Sequence, residues 1–267
     1  MKSILKFFFR MTEGKIAWQR FFRRLHTVAL RGMNFGNGGD FTASGELFVL
    51  KFIRSQFPEG TPLTVFDVGA NIGDYSKKIS EVMGSSATIH AFEPSRSTYA
   101  ALQENTAGIS NVILHHFGMT DVPGEMTLYK NSGLSGLSSV YHRRLDHFNI
   151  SMDQQETIVL ESIDNFCRSA AVTRIHFLKI DIEGNELRAL NGAHGMIERG
   201  DIDFIQFEFG GCNIDSRTFF QDFFYLLNGH FRIFRIVKDG LVEITSYTEN
   251  EEVFSTINYL AQKRDRR

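Results

Sequence analysis

Asp67, Glu93, Asp181, Glu183 and Glu208 each fall at or near the end of a short apolar run. Such runs read as strands, so the five carboxylates gather at the carboxyl edge of one sheet, where α/β folds bind ligands. Charge at the end of a buried strand is costly unless it is paired or used. Two of the five belong to a nucleoside-binding pattern. In Val65-Phe-Asp-Val-Gly-Ala-Asn-Ile-Gly73 an apolar strand enters a glycine turn, and Glu93 closes the next strand in Ile89-His-Ala-Phe-Glu-Pro94. Glu93 is placed to accept hydrogen bonds from both ribose hydroxyls. Gly69, Ala70, Asn71 and Gly73 are placed to bring backbone against a ligand. The plain alternative is a structural βα turn that binds nothing.

The turn also separates cofactor classes. A pyrophosphate-binding turn reads Gly-x-Gly-x-x-Gly and avoids a carboxylate. Here the spacing is Gly69-x-x-x-Gly73, and Asp67 precedes it. A carboxylate there repels a diphosphate and suits the amino and sulfonium charges of S-adenosylmethionine. The ligand's own carboxylate then faces the helix N-terminus near Ile72 to Asp74. This weighs against a nicotinamide-dependent oxidoreductase, which stays as an alternative beside a non-catalytic nucleoside-binding module.

The remaining three acids read as a reaction site. Phe177-Leu-Lys-Ile-Asp-Ile-Glu-Gly184 puts Lys179, Asp181 and Glu183 on one side of an extended chain, and Glu208 ends the following core strand. A purely structural pairing of Lys179 with Asp181 or Glu183 accounts for part of this pattern. It does not account for acidic ends on so many strands.

The elements that must position these residues alternate from residue 63 onward. Strands are predicted over 63–68, 87–93, 112–117, 175–181 and 202–209, with helices over 74–83, 95–107, 184–198 and 216–228. Short apolar strands joined by amphipathic helices imply an α/β fold, a mostly parallel sheet covered on both faces. The runs 231–237 and 241–247 flank Lys238-Asp-Gly240, a hairpin signal, so the sheet ends in an antiparallel edge. Residues 118–174 exceed what one crossover helix needs. They hold two candidate extra strands, 125–130 and 156–160. The polar Asn131–His142 stretch between them suits a substrate lid as well as an ordinary surface insertion.

Composition narrows the class. The 267-residue chain carries a net charge of −2, unevenly spread. Lys2, Lys6, Arg10, Lys15, Arg20, Arg23, Arg24 and Arg31 against Glu13 alone give residues 1–31 a net +7, leaving −9 for the remainder. The overall field gives no footprint for nucleic acid. The N-terminal segment interleaves aromatics with cations, which suits peripheral contact with an anionic membrane surface or packing against a partner. The domain expectation is a basic helical segment and glycine-rich linker over 1–45, then one ligand-binding domain over 46–267. Cys167 and Cys212 form no metal pattern, so no metal site is predicted. No apolar run is long enough to span a bilayer, and no signal peptide is evident, so the expectation is a cytoplasmic protein, with the inner membrane surface as its place of peripheral contact.

Together, the Asp67–Gly73 turn with Tyr75-Ser76, Ala91-Phe-Glu-Pro94, Leu178-Lys-Ile-Asp-Ile-Glu-Gly-Asn-Glu186 with Leu190-Asn-Gly-Ala193, and Glu208 resemble the FkbM-type S-adenosylmethionine-dependent methyltransferases. The match covers about residues 63–210. It departs from the family pattern at Phe117-Gly-Met-Thr-Asp121. The resemblance implies a Rossmann-like class I methyltransferase fold with a seven-stranded sheet. It implies S-adenosylmethionine bound by Asp67, Gly69, Ala70, Asn71, Gly73, Glu93 and Pro94, with Gly118 and Met119 on the adenine side. It also implies methyl transfer to oxygen, on a sugar, glycolipid precursor or related natural product. A weakly acidic hydroxyl needs a base. Asp181 and Glu208 are the first candidates, with Glu183 positioning substrate and His142 or His116 as alternatives. Paired carboxylates also suit Mg²⁺, which the sequence does not require.

Overall fold

A computed structural model describes residues 9–37, 41–131 and 136–264. After a single 3-10 turn, Ile16–Trp18, the elements run α1 (Gln19–Gly32), α2 (Glu46–Ser55), β1 (Leu63–Val68), α3 (Asp74–Met83), β2 (Ala87–Phe92), α4 (Arg96–Asn105) and β3 (Val112–His115). An insertion follows: β4 (Gly118–Met119), β5 (Gly124–Lys130) and β6 (Gln154–Glu161). The chain then resumes with α5 (Ile163–Ser169), β7 (Ile175–Ile180), α6 (Glu186–Asn191), α7 (His194–Arg199), β8 (Ile202–Phe209), α8 (Cys212–Ser216) and α9 (Phe220–Leu227). It closes with β9 (Phe231–Val237), β10 (Gly240–Ile244) and β11 (Ile257–Lys263).

The main sheet has the order β10-β9-β11-β8-β7-β1-β2-β3. The contiguous strands β3, β2, β1, β7 and β8 are parallel, whereas β11 runs antiparallel to both β8 and β9. The central strands are buried on both faces, which is why they read as unbroken apolar runs rather than alternating ones. The acidic strand ends meet because β2, β1, β7 and β8 are consecutive neighbours running in one direction.

Several details differ from the sequence expectation. The sheet has eight strands rather than seven: β9 and β10 form the expected hairpin, and the strand not foreseen is β11, which inserts between β9 and β8. The predicted helix 184–198 divides at Gly192, because the Asp164 carboxylate accepts from the Gly195 and Met196 N–H groups at 2.7 and 2.9 Å and caps a new helix there. The predicted helix 216–228 begins later, where Glu252 accepts from Phe220 and Gln221. The two extra strands in the insertion form, and β6 pairs with both β4 and β5 in a separate three-stranded sheet. Of the Asn131–His142 stretch, residues 132–135 lie outside the described residues.

Residues 34–36 and 44, within the stretch expected as a linker, are bound to the domain. Phe35 is buried in the largest apolar cluster, and buried Asn34 donates to the carbonyls of Ser44 and Ile236 at 2.9 and 3.3 Å. The domain core therefore begins before the boundary expected at residue 46. Among the described residues no helix is long and apolar enough to cross a membrane.

Candidate active site

The turn after β1 is fixed from two sides. Gly69 and Ala70 donate to the Phe92 carbonyl at 3.0 and 2.9 Å, tying the turn to the end of β2. Gly69 has φ +83°, and a Cβ there would lie 1.9 Å from the Asp181 carbonyl oxygen. Gly73 has φ +93°, and its Cβ would meet Leu102 and Thr106 on α4. The two glycines were expected to admit a ligand. Their first effect is to admit the exit of β7 and the flank of α4. Gly69 also borders the cavity described next.

Glu93 leaves β2 with its carboxylate turned back to the turn. One oxygen accepts from the Asn71 N–H at 3.2 Å and the other from the Ser95 N–H at 2.9 Å. Burial raises its pKa to about 7, against the pull of those two backbone donors. Beside it lies a cavity of about 340 Å³ lined by Gly69, Asn71, Glu93, Pro94, Gly118 and Met119. The second sheet covers it with Leu128, Ile158 and Leu160, and Asp181, Glu183, Asn185 and Glu208 close the other side. The size and the mixed lining suit a nucleoside-sized ligand.

The donor set fits S-adenosylmethionine. Glu93 faces the cavity with the acceptors a ribose diol requires, and the apolar cover suits an adenine. Asn71 and Asn185 each keep a buried side-chain oxygen with no hydrogen-bond partner in this wall, ready for amino or hydroxyl donors. A second cavity of about 200 Å³ adjoins at Gly69, Asn71, Asp181 and Glu208. It is lined also by Ala70, Ile72 and Asp74 at the start of α3, the place expected for the ligand's carboxylate.

Asp67 stands apart from this group. It is fully buried, accepts from Ser76 Oγ at 2.6 Å, lies 3.6 Å from Lys179 Nζ and lines neither cavity. Its expected contact with the ligand's cation is replaced by Lys179. Lys179 itself bridges Asp67 and Asp181, the latter at 3.3 Å, above the Tyr75 ring. Burial works against its charge, but Asp181 and Asp67 outweigh that and hold it above the ordinary lysine range. The expected structural pairing is thus present with Asp181 and not with Glu183.

Glu183, with φ +51°, is ion-paired with Arg143 of the insertion. Its pKa is raised to about 8, by burial first and opposed by Arg143. Glu208 borders both cavities and a third of about 310 Å³ lined by Gly36, Leu137, Arg143, Glu183, Cys212 and Thr256. Its carboxylate makes no hydrogen bond among the described residues. Burial, then Asp181 and Glu183, push its pKa well above the usual carboxylate value. Ligand atoms of Glu183, Glu208 and Cys212 lie within 4.8 Å of one another. Arg143 already engages Glu183, and a thiol does not belong to an all-oxygen Mg²⁺ set.

The histidines offered as alternative bases lie elsewhere. His142 is exposed, edge-on to Tyr129 at 4.9 Å, and His116 is exposed and stacked on Tyr99 at 4.4 Å. Neither lines any of the three cavities. Sequence reasoning missed Arg143, Asn185 and Glu186. Glu186 is fully buried and accepts from the Ile182 and Gly184 N–H groups, holding the loop that carries Glu183. Glu186 sat inside the recognised motif, two residues past Gly184 at a helix start, which is a signal for such a role. Arg143 had none, since it comes from a polar stretch forty residues away from its partner.

A mostly parallel sheet with carboxylates after β2, after β7 and within β8, gathered around one group of cavities, is an arrangement of the Rossmann-like class. A model of the FkbM methyltransferase domain matches residues 67–236, and the chain belongs to that family. The domain is an S-adenosylmethionine-dependent methyltransferase, which sets aside the nicotinamide reading. The hexuronic acid methyltransferase AglP of Haloferax volcanii is 25% identical over 167 residues, 62% of this chain and 64% of its own length. Methyltransferase 1 of Beauveria bassiana is 27% identical over 167 residues, 55% of this chain and 64% of its own. The chain thus spans 64% of the length of each of these relatives. The crystal structure of an FkbM methyltransferase from Methylobacillus flagellatus is 19% identical with a TM-score of 0.46, covering 75% of this chain and 44% of that one.

Proposed function

We propose that the protein methylates a hydroxyl group of a sugar or sugar-bearing acceptor, with Glu208 as the proton acceptor. S-adenosylmethionine supplies an electrophilic methyl group on a positively charged sulfur. The acceptor oxygen forms the new C–O bond as the C–S bond breaks, the sulfur leaves as a neutral thioether, and the hydroxyl proton goes to Glu208. Glu93 with Asn71 holds the ribose end, while Met119, Leu128, Ile158 and Leu160 exclude water from the adenine side. Glu183, fixed by Arg143, positions the acceptor in the third cavity.

The observation that carries this reading is Glu208 itself. Its carboxylate has no hydrogen-bond partner among the described residues, and it borders all three cavities. A cation bound beside Asp181, Glu183 and Glu208 offsets their mutual repulsion and favours the ionised base. The sugar class is supported by the named activity of the Haloferax volcanii relative.

The test is transfer of a labelled methyl group to hexose- and hexuronate-bearing acceptors by wild type and Glu208→Gln. Alkali-stable label that is lost in the variant is expected. Alkali-labile label would place the methyl on a carboxylate, which needs no base, and would overturn the assignment. No label on any acceptor would favour a non-catalytic module.

A further inference from the structure

The segment before the catalytic domain has the make-up of an interfacial anchor. Helix α1 has fourteen residues and none of them is buried. Leu25 and Val28, 48% and 66% exposed, share one stripe with Phe21 and Trp18, at helical spacing. Ile16 and Met11 extend the apolar surface toward the N-terminus at 90% and 53% exposure, and Met33 does so at the other end. Arg20, Arg24 and Arg31 flank the stripe along one edge and Arg23 lies opposite it, all exposed. Glu13 is the single acid among residues 9–33. Leu25 and Val28 stay exposed among the described residues. Leu30, on another side of the helix, packs against the main core.

We propose that α1 lies in the interface of an anionic lipid bilayer, its apolar stripe among the acyl chains and its arginines at the headgroups. Two observations favour a bilayer over a protein partner. The cations line the stripe along its length with almost no acid, which matches a continuous negative surface and needs no ion-by-ion partner. The stripe also mixes the aromatic Trp18 and Phe21 with the branched Leu25 and Val28, a composition suited to the boundary where headgroups meet hydrocarbon.

The helix is joined rigidly to the site it would serve. Asn34, Phe35 and Gly36 follow within four residues of its end. Asn34 bonds the Ser44 and Ile236 carbonyls, Phe35 is buried beneath Arg235, and the Gly36 N–H donates to the Thr256 carbonyl at 2.8 Å. Gly36 and Thr256 both line the third cavity beside Glu183 and Glu208. Docking α1 therefore brings the acceptor cavity to the bilayer surface, where a lipid-linked acceptor would be presented. The bilayer contact itself stands independently of the acceptor's chemistry.

Co-sedimentation of the full chain with phosphatidylcholine vesicles, with and without phosphatidylglycerol, tests this. Binding to the anionic vesicles alone is expected, weakening as salt is raised. Arg20→Gln, Arg23→Gln and Arg24→Gln together should lower that binding roughly a hundredfold. Leu25→Glu with Val28→Glu should abolish it, and unchanged S-adenosylmethionine affinity in both variants reports an intact domain. Equal binding to neutral vesicles, or none to either, would overturn the proposal. So would self-association that Leu25→Glu abolishes without any vesicle binding, which would assign the stripe to a second copy of the chain.

Discussion

The Asp181 carbonyl oxygen fills the space in which a side chain at Gly69 would begin, 1.9 Å from the position of a Cβ. The cofactor turn and the acidic end of β7 are thus in contact through backbone, and neither can shift without the other. Substituting Gly69→Ala should cost about 3 kcal/mol or more, since the clash adds to an unfavourable positive φ. Gly60→Ala is the control: its φ is +78°, but nothing lies within 4 Å, so about 1 kcal/mol is expected. Denaturant unfolding of the two variants compares them directly, and equal losses would refute the role of the contact.

Cofactor binding should strengthen with pH through neutrality. Glu93 has a pKa of about 7 in the unliganded protein because burial disfavours its charge. A ribose diol donates two hydrogen bonds, which the ionised carboxylate accepts better than the protonated acid does. Affinity for S-adenosylmethionine by calorimetry should therefore rise as pH passes upward through about 7, and Glu93→Gln should flatten the dependence. A fall in affinity over that range would contradict the assignment.

Lys179 should prove structural. Replacing it with methionine leaves the Asp67 and Asp181 carboxylates without their shared cation, at a cost on the order of 3–5 kcal/mol. Adding Asp67→Asn should recover part of the loss by removing the fully buried charge. Thermal unfolding of the single and double variants reports this. A double variant no more stable than the single one would show that the pair does not couple.

Acid should destabilise the fold through His115. Burial, then neighbouring His90, lowers its pKa to about 4 from an unfolded value near 6.5. Between those values the unfolded chain binds more protons than the folded one, so stability is full above about pH 6.5 and falls as pH drops toward about 4. His115→Phe, in a site already built from Phe92, Phe117 and Phe166, should reduce the drop in unfolding temperature over that window. An unchanged drop would assign the acid sensitivity to other groups.

The parallel core was legible because each of its strands is a short apolar run ending in a glycine or an acid, and period and punctuation are local properties. Glu93 and the acids after β7 and β8 were legible for the same reason. The direction in which each side chain points was not. Asp67 lies near the end of the strand that leads into the predicted contacts, yet its carboxylate turns to Ser76 and Lys179, and that choice depends on a lysine more than a hundred residues away. Arg143 was hidden because its charge acts through Glu183 and Asp215, distant residues that the fold of the insertion brings to it. Strand β11 carries Asn258 and Gln262 within an otherwise apolar run, and its insertion between β8 and β9 follows from neither neighbour's sequence.

The placement of β11 has a bearing on biosynthesis. Asn258 pairs in register with Glu208, so the strand that holds the candidate base gains its outer neighbour only from residues 257–263. A nascent chain can complete the β1 turn and Glu93 long before these residues leave the ribosome. Until they do, β8 is an open sheet edge and Glu208 is exposed to water along it. On the proposed reading, the residues that would hold the methyl donor are thus made before the strand that flanks the candidate base.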